Sequence, residues 1–274
     1  MMIQDIAPYK FNNQYINKEE KDSDIVLAFG EQGILINEEK ENVFPSVHIY
    51  RKKYINEELI YLFSVNETSY YMAPVGSNVL LDDYSEYKKL NELRKTLKKP
   101  EIMVAATGLH LYMWYRDNVY CGRCGKKTQH DKKLRCLVCE CKNMIFPRIS
   151  PAVIVAVTNK NKILLTKYAN RAYTRYALIA GFTEIGETLE ETVRREVLEE
   201  AGVNVKNIKY YKSQPWGFDG NILAGFFCEL DGDDTITMDA EELATAEWVT
   251  KEDIPEYNEG LALTHEMMQV FKSS

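Results

Sequence analysis

Gly181–Val203 reads GFTEIGETLEETVRREVLEEAGV. At about 100° of turn per residue, Leu189, Val193, Val197 and Ala201 recur at i, i+4 and form one apolar stripe. A helix from about Glu187 to Ala201 therefore packs on a core, and Gly202 is placed to end it. Beside the stripe, Glu196, Glu199 and Glu200 fall within an arc of about 100°. Three carboxylates so close repel one another and disfavour a helix standing alone. One reading is a solvated acidic face. The other is a cation that neutralises them, and oxygen-only ligands favour Mg2+ or Mn2+ over zinc.

The flanking residues separate the two readings. Gly181, Glu187, Arg195, Glu196, Val197, Glu199, Glu200, Gly202 and Val203 fill every fixed position of the pattern G-x5-E-x7-R-E-U-x-E-E-x-G-U, where U is a bulky aliphatic. The segment thereby resembles the signature of the Nudix hydrolases. The resemblance implies a loop–helix–loop whose glutamates hold divalent cations. Glu196 and Glu200 are the main ligands it implies, and Glu199 is a further ligand or the base that activates water. Glu187 orients the site or holds an outer metal through water, and Arg195 orients a glutamate by a charged hydrogen bond. The carbonyl of Ala180 is a further implied ligand. The implied reaction is hydrolysis at phosphorus, in which metals screen the pyrophosphate charge and a carboxylate takes the proton of the attacking water.

Downstream, Ser213–Asn221 reads SQPWGFDGN. Taken alone it is a strand end broken by Pro215, with Trp216 and Phe218 packing a core or stacking on a base. It also resembles the S-Q-P-W-P-F-P-x-S motif of the NAD(H) pyrophosphatase branch of Nudix hydrolases. Ser213, Gln214, Pro215, Trp216 and Phe218 match, whereas Gly217 and Asp219 replace prolines and Asn221 replaces the serine. Each lost proline frees a backbone angle, so a looser loop is expected. The resemblance implies substrate contacts from Gln214, Pro215, Trp216, Gly217, Phe218, Asp219, Gly220 and Asn221. It also implies nicotinamide stacking by Phe182, a pocket wall at Phe146, and a further metal ligand at Glu242, with Glu241 as the fallback. That branch cleaves NAD(H) to nicotinamide mononucleotide and AMP, and some members remove NAD caps from RNA 5′ ends. The resemblance admits free dinucleotide and capped RNA alike as substrates. The alternatives are a Nudix pyrophosphatase acting on ADP-ribose or another nucleoside diphosphate derivative, and, more remotely, a non-catalytic nucleotide sensor.

Five of the six cysteines lie between Cys121 and Cys141. Cys121-x2-Cys124 and Cys136-x2-Cys139, eleven residues apart, make two knuckles that can close a tetrahedral thiolate site for structural Zn2+. Cys141 competes with Cys139, because it lies where the family places its last ligand before Phe146-Pro147. Cys139 is preferred because it keeps the knuckle. A redox thiol pair and unligated surface cysteines are the competing explanations, and Cys228 in an apolar run reads as core.

The chain as a whole is ordinary in composition. It has 274 residues, 45% hydrophobic and 27% charged, with a net charge of −7 from 34 basic and 41 acidic residues. That balance argues weakly against long nucleic acid as a partner, although one local basic patch would suffice. Met1–Asp24 is polar and lacks a signal-peptide core, and the apolar run Ala152–Val157 is too short to cross a bilayer, so no membrane and a cytoplasmic location are expected. Short strands are predicted at Ile25–Phe29, Ile34–Ile36, Val47–Tyr50, Leu59–Val65 and Tyr70–Ala73, with helices at about Tyr84–Leu97 and Gly108–Asn118. Ala152–Thr158 and Ile163–Thr166, joined at Asn159-Lys160-Asn161, read as a hairpin at a sheet edge. Further strands are predicted at Tyr176–Ala180, Ile208–Ser213, Leu223–Leu230 and Glu247–Val249, and a last helix near Leu261–Phe271. The expected fold is α+β: a Nudix α/β/α sandwich with a mixed sheet (148–274), preceded by a zinc ribbon (119–147) and a β-rich N-terminal domain (1–118). The resemblance further implies a homodimer that shares its active sites.

Overall fold

A computed structural model describes the chain except residues 1, 17, 38–41, 83, 171–173 and 257–260. Its contacts divide into two units. One is Ile6–Arg148 with the short segment Gly217–Gly220, and the other is Met1–Asp5, Ile149–Trp216 and Asn221–Ser274.

The first unit opens with β1 (Phe11–Asn12), β2 (Ile25–Leu27), β3 (Phe29–Gly30) and β4 (Gly33–Ile36). Then come α1 (Val47–Arg51), β5 (Ile60–Val65), β6 (Thr68–Met72), β7 (Glu86–Lys88), α2 (Leu90–Leu93) and α3 (Lys99–Asp117). The strands form one sheet in the order β1-β5-β6-β2 and a second in the order β3-β4-β7. Three expectations are corrected here. Val47–Tyr50 is helical, because the Ser46 hydroxyl accepts from the Ile49 N–H and Val47 and Tyr50 are buried at i, i+3 spacing. A four-residue run of β-branched and aromatic residues carries too little periodicity to tell strand from helix. Within Tyr84–Leu97, only Leu90–Leu93 is α-helical, and Glu86–Lys88 instead pairs with β4. The helix expected from Gly108 begins nine residues earlier, at Lys99, where the Glu101 carboxylate accepts from the Lys98 N–H at 2.7 Å. Gly108 is interior to it, and a Cβ there would come 2.6 Å from Cδ1 of Leu27. That glycine allows close packing of helix on sheet.

The ribbon follows as β8 (Gln129–His130), β9 (Leu137–Val138) and β10 (Met144–Ile145), ordered β10-β9-β8. Arg135 ties it to the preceding strands, donating from Nη2 to the carbonyls of Asn13 (3.1 Å) and Leu62. Tyr15 stacks on His130 and lies beneath the Arg135 guanidinium.

The second unit holds β11 (Ser150–Asn159), β12 (Lys162–Tyr168), β13 (Ile179–Phe182), α4 (Leu189–Ala201), β14 (Val205–Trp216), β15 (Asn221–Leu230), β16 (Leu243–Thr250) and α5 (Leu263–Ser273). The sheet order is β14-β15-β11-β12-β16, with β13 also paired to β11. β11 runs parallel to β15 and antiparallel to β12 and β13. The β11–β12 hairpin is therefore not at an edge. β11 is central, and it is nearly all apolar because both of its faces are covered. Val153, Val155 and Val157 meet Val193 and Val197 of α4 in one core, while Ile154 and Ala156 meet Met267, Met268 and Phe271 of α5 in another. A mixed sheet between helices, the expected α/β/α arrangement, is thus what the second unit adopts. Full burial of Val193 and Val197 stabilises the α4 contact by about 1.5–3 kcal/mol each. Among the described residues, no helix is long and apolar enough to cross a membrane.

Candidate active site

The site grows from the start of α4. Thr188 caps the helix: its hydroxyl accepts from the Glu191 N–H at 3.2 Å, and the Glu191 carboxylate accepts from the Thr188 N–H at 2.7 Å. This capping box, Thr188-x-x-Glu191, begins the helix at Leu189, two residues after the predicted start. Gly202, at φ +70°, closes it in the left-handed region as expected.

One turn into the helix, Arg195 gathers the carboxylates. Its Nε and Nη2 donate to the two oxygens of Glu187 at 2.6 and 2.9 Å, a bidentate pair. Nη1 donates to Glu196 at 2.7 Å and to Glu199 at 3.0 Å, and Nη2 also reaches the Phe182 carbonyl at 2.8 Å. Glu187 accepts in addition from the Glu184 N–H (3.1 Å) and the Thr192 hydroxyl (3.0 Å). The Arg195 hydrogen bonds, with those donors, hold the Glu187 carboxyl down at about 2. Arg195 in turn is driven further into its charged form, chiefly by Glu187. Glu187 is thus a fixed anion that locks Arg195, and Arg195 sets the rotamers of Glu196 and Glu199. The fully buried Thr192 had no sequence signal beyond its place within the capping turn.

The carboxylates themselves differ in exposure. Glu200 is 2% exposed and Glu196 9%, while Glu199 is open to solvent. Burial pushes the Glu196 carboxyl up, against the pull of Arg195, and the neighbouring charges of Glu199 and Glu242 push it the same way. Glu242 therefore lies close enough to act on Glu196, which favours it over Glu241 as the additional acidic residue. Glu241 instead turns its N–H to Asp239. The close approach of Gly181 explains its place in the motif. A Cβ on it would stand 1.9 Å from the Glu196 carboxyl carbon and 2.0 and 2.2 Å from its oxygens. Ala180 precedes it on β13, opposite Ile154 of β11. Buried, mutually repelling carboxylates fit a hard divalent cation, since oxygen ligands of this kind suit Mg2+ or Mn2+ and the cation removes the cost of their burial.

The residues of the downstream motif fall into distinct environments. Gln214 is fully buried, and this corrects its assignment to the substrate. Its Oε1 accepts from the Leu263 N–H at 2.7 Å and its Nε2 donates to the Leu261 carbonyl at 2.7 Å, so it anchors the start of α5. Pro215 does not break the strand. β14 is an edge strand and continues through Pro215, opposite Ile222, to Trp216, opposite Asn221. Pro215 is exposed, Trp216 half-buried and Asn221 buried. Gly217–Gly220 belongs by its contacts to the first unit. A Cβ on Gly217 would lie 2.2 Å from the Ala106 carbonyl oxygen of α3, the Arg94 guanidinium stands 5.0 Å over the Phe218 ring, and Gly220 sits at φ +73° beside His110. Gly217 is a tightly packed position, which corrects the expectation of a looser loop. Asp219 is exposed. Phe182 in the second unit and Phe146 in the first are each 54% exposed, as a stacking surface requires.

In the ribbon, the thiols of Cys121, Cys124, Cys139 and Cys141 come within 4.8 Å of one another. Sγ of Cys121 is 3.7 Å from that of Cys141, and Sγ of Cys124 is 3.4 Å from that of Cys139. Zn–S bonds of about 2.3 Å in a tetrahedron put sulfurs about 3.8 Å apart, so the four fit one Zn2+. The Cys121 thiol is lowered to about 6 by the backbone N–H of Arg123, with further donors from Cys124 and Asn143. Cys136 is the assignment to be corrected. It is fully buried ahead of β9, whose two extended residues, Leu137 and Val138, carry the chain about 10 Å onward to Cys139. The second knuckle closes instead around Cys139-Glu140-Cys141. Lys142 at φ +65° returns its N–H to the Cys139 carbonyl at 2.8 Å, as Gly125 at φ +73° does to Cys121. Cys139 and Cys141 therefore join the group together, and neither displaces the other. Cys228 lies in the core under α4, as expected.

Residues 148–268 match the family described as NUDIX domain. The NAD-capped RNA hydrolase NudC of Escherichia coli is 39% identical to this chain over 153 residues, which are 56% of this chain and 59% of that protein. The protein of the same name in Escherichia fergusonii matches to the same extent. The match thus spans about three-fifths of the length of these curated relatives. Among solved structures, a NUDIX hydrolase from Nitrosomonas europaea superposes with a TM-score of 0.49 at 24% identity, over 56% of this chain and 90% of that one.

Proposed function

We propose that this chain, whose residues 148–268 are a Nudix domain, is a divalent-metal-dependent pyrophosphatase that splits NAD(H) into nicotinamide mononucleotide and AMP, as a free dinucleotide or as the 5′ end of RNA. The observation that carries this reading is the Arg195 hub, which fixes Glu187, Glu196 and Glu199 beside the buried Glu200. The SQPW segment and the likeness to NAD-capped RNA hydrolases support the dinucleotide as substrate. Glu196, Glu200, Glu242 and the Ala180 carbonyl are the groups we assign to Mg2+ or Mn2+, with Glu199 as a further ligand or the base. Bound cations of this kind screen the phosphate oxygens and acidify the attacking water.

The protein groups do the rest. Glu199, open to solvent and held at one oxygen by Arg195, takes the proton as the water oxygen bonds to phosphorus and the bridging P–O bond breaks. Arg195 holds the Glu196 carboxylate in the space beside Gly181, and Glu187 keeps Arg195 in place. Phe182 offers its exposed face to a flat ring, and Phe146, Pro215, Trp216 and Phe218 are further contact residues in this reading. Cys121, Cys124, Cys139 and Cys141 hold a structural Zn2+ and take no part in hydrolysis. A cytoplasmic setting that keeps these thiols reduced, three domains at 1–118, 119–147 and 148–274, and a homodimer as the working form complete the proposal.

The test is hydrolysis of NADH with Mn2+ or Mg2+, with products separated beside those from ADP-ribose and from an NAD-capped RNA. Release of AMP and reduced nicotinamide mononucleotide, abolished in Glu200→Gln while the fold survives, is the expected result. Faster turnover of ADP-ribose would replace NAD(H) as the substrate. Wild-type rates in Glu200→Gln would sink the metal assignment.

A further inference from the structure

Four buried polar groups of the first unit have no hydrogen-bond partner among the described residues: Nε1 of Trp114, the hydroxyl of Tyr115, Nε2 of His130 and Nη1 of Arg135. They come from separate parts of the chain, the last turn of α3, strand β8 and the residue two before β9. They nevertheless meet in one place. The Trp114 and Tyr115 rings are 4.4 Å apart, and the Tyr115 and His130 rings 5.0 Å. Tyr15 stacks on His130 with its hydroxyl 3.4 Å from Nδ1, and the Arg135 guanidinium stands 5.3 Å over the Tyr15 ring. A polar group left unbonded in the interior is destabilising, so four together call for a common partner.

The chemistry of the four says what that partner is. The N–H groups of Arg135 and Trp114 can only donate. Burial pushes the Tyr115 hydroxyl well up, so it keeps its proton. Burial also lowers His130, so the ring is neutral, and with the Tyr15 hydroxyl donating to Nδ1 its proton sits on Nε2. A water molecule has protons of its own to place, and a set made of donors offers them no acceptor. An anion accepts from every member. It also answers a charge. Arg135 has no ion pair among the described residues, and its Nη2 is spent on the carbonyls of Asn13 and Leu62. Burial works against the guanidinium charge and pulls it below its ordinary value. Asp131 and Glu58 are near enough to act on His130, but Asp131 is turned to the N–H groups of Lys133 and Leu134, each at 2.8 Å, and Glu58 is exposed. An anionic group on a larger body cannot reach atoms closed to solvent, which leaves a small inorganic ion. We propose that Arg135, Tyr115, His130 and Trp114 bind a monatomic anion, of which chloride is the type, and that this ion fastens the ribbon to α3. The inference is independent of the proposed hydrolysis.

The experiment uses the zinc-loaded full chain, dialysed into sodium gluconate and melted as sodium bromide or sodium chloride replaces it at constant ionic strength, so that screening does not change. Bromide and chloride are expected to raise the melting temperature with the logarithm of their concentration, as a ligand of the folded state does. Arg135→Met would also cut the bonds to Asn13 and Leu62 and endanger the fold, so the deciding variant is Tyr115→Phe, which removes one donor and keeps the ring. Loss of a hydrogen bond to an ion is expected to weaken bromide binding by about tenfold or more. Crystals grown in bromide are expected to show an anomalous peak within hydrogen-bond reach of Arg135 Nη1 and the Tyr115 hydroxyl. A wild-type melting temperature that ignores both halides overturns the proposal. So does a Tyr115→Phe protein that responds to bromide as the wild type does. A Tyr115→Phe protein more stable than the wild type at every bromide concentration overturns it too, since that is the mark of a hydroxyl buried with nothing to bond.

Discussion

Gly181→Ala is the most informative single change at the site. The glycine is not there for its backbone freedom but for the space beside it. A Cβ would lie 1.9–2.2 Å from three atoms of the Glu196 carboxylate, whereas ordinary contact begins at 3.4 Å. The carboxylate must therefore move by more than about 1 Å, because β13 is held by β11 through four residues and cannot yield. That movement breaks the 2.7 Å bond from Arg195 to Glu196 and displaces a proposed metal ligand. A misplacement of about 1 Å costs on the order of 100-fold in rate, or about 2.7 kcal/mol in the barrier. The assay is steady-state NADH hydrolysis across a Mn2+ titration, with a thermal melt of each protein. Turnover is expected to fall by about this factor and the Mn2+ requirement to rise, with little change in melting temperature. If the clash acts through Glu196, the change adds almost nothing to the loss already caused by Glu196→Gln. Wild-type turnover at wild-type Mn2+, or a loss that adds in full to that of Glu196→Gln, would refute the reasoning.

Other variants test the remaining assignments. Gln214→Leu strands the Leu263 N–H and the Leu261 carbonyl in the interior, so urea unfolding should show a loss of about 2–4 kcal/mol, with KM for NADH unchanged in the folded protein. A large rise in KM without destabilisation would return Gln214 to the substrate. Cys141→Ala is expected to lose bound zinc, measured by metal analysis, whereas Cys136→Ala keeps one zinc per chain and loses only packing energy. Equal zinc loss in the two variants would contradict the Cys121, Cys124, Cys139 and Cys141 grouping. Gly217→Pro restores the residue of the family motif but drives its ring at the Ala106 carbonyl, and a lower melting temperature by about 1–3 kcal/mol equivalent is expected. A more stable variant would show that the loop is slack after all.

The chemistry was legible in Gly181–Val203 because a helix is a local structure. Its period of 3.6 residues ties Leu189, Val193, Val197 and Ala201 to one face and the glutamates to the next, whatever surrounds them. The apolar strand Ala152–Val157 was likewise visible, although not its central place, since pairing partners in a sheet are remote in sequence. The helix at Val47–Arg51 was missed because its burial pattern spans a single turn, and the strand at Glu86–Lys88 because its partner is some fifty residues away.

By itself the sequence determined that an amphipathic helix, from about Glu187 to Ala201 and stopped at Gly202, bears a carboxylate cluster, and that thiols crowd into one short segment. Only the tertiary structure decided which groups meet. Cys141 rather than Cys136 joins the thiol group because a left-handed Lys142 closes the turn there, something no spacing rule encodes. Gln214 faces α5 because the alternation of an edge strand turns it inward. Gly181 and Gly217 are glycines because a carboxylate and a helix carbonyl occupy the positions of their missing Cβ atoms. Local periodicity is written in neighbouring residues, whereas steric exclusion between distant segments exists only once the chain has closed on itself.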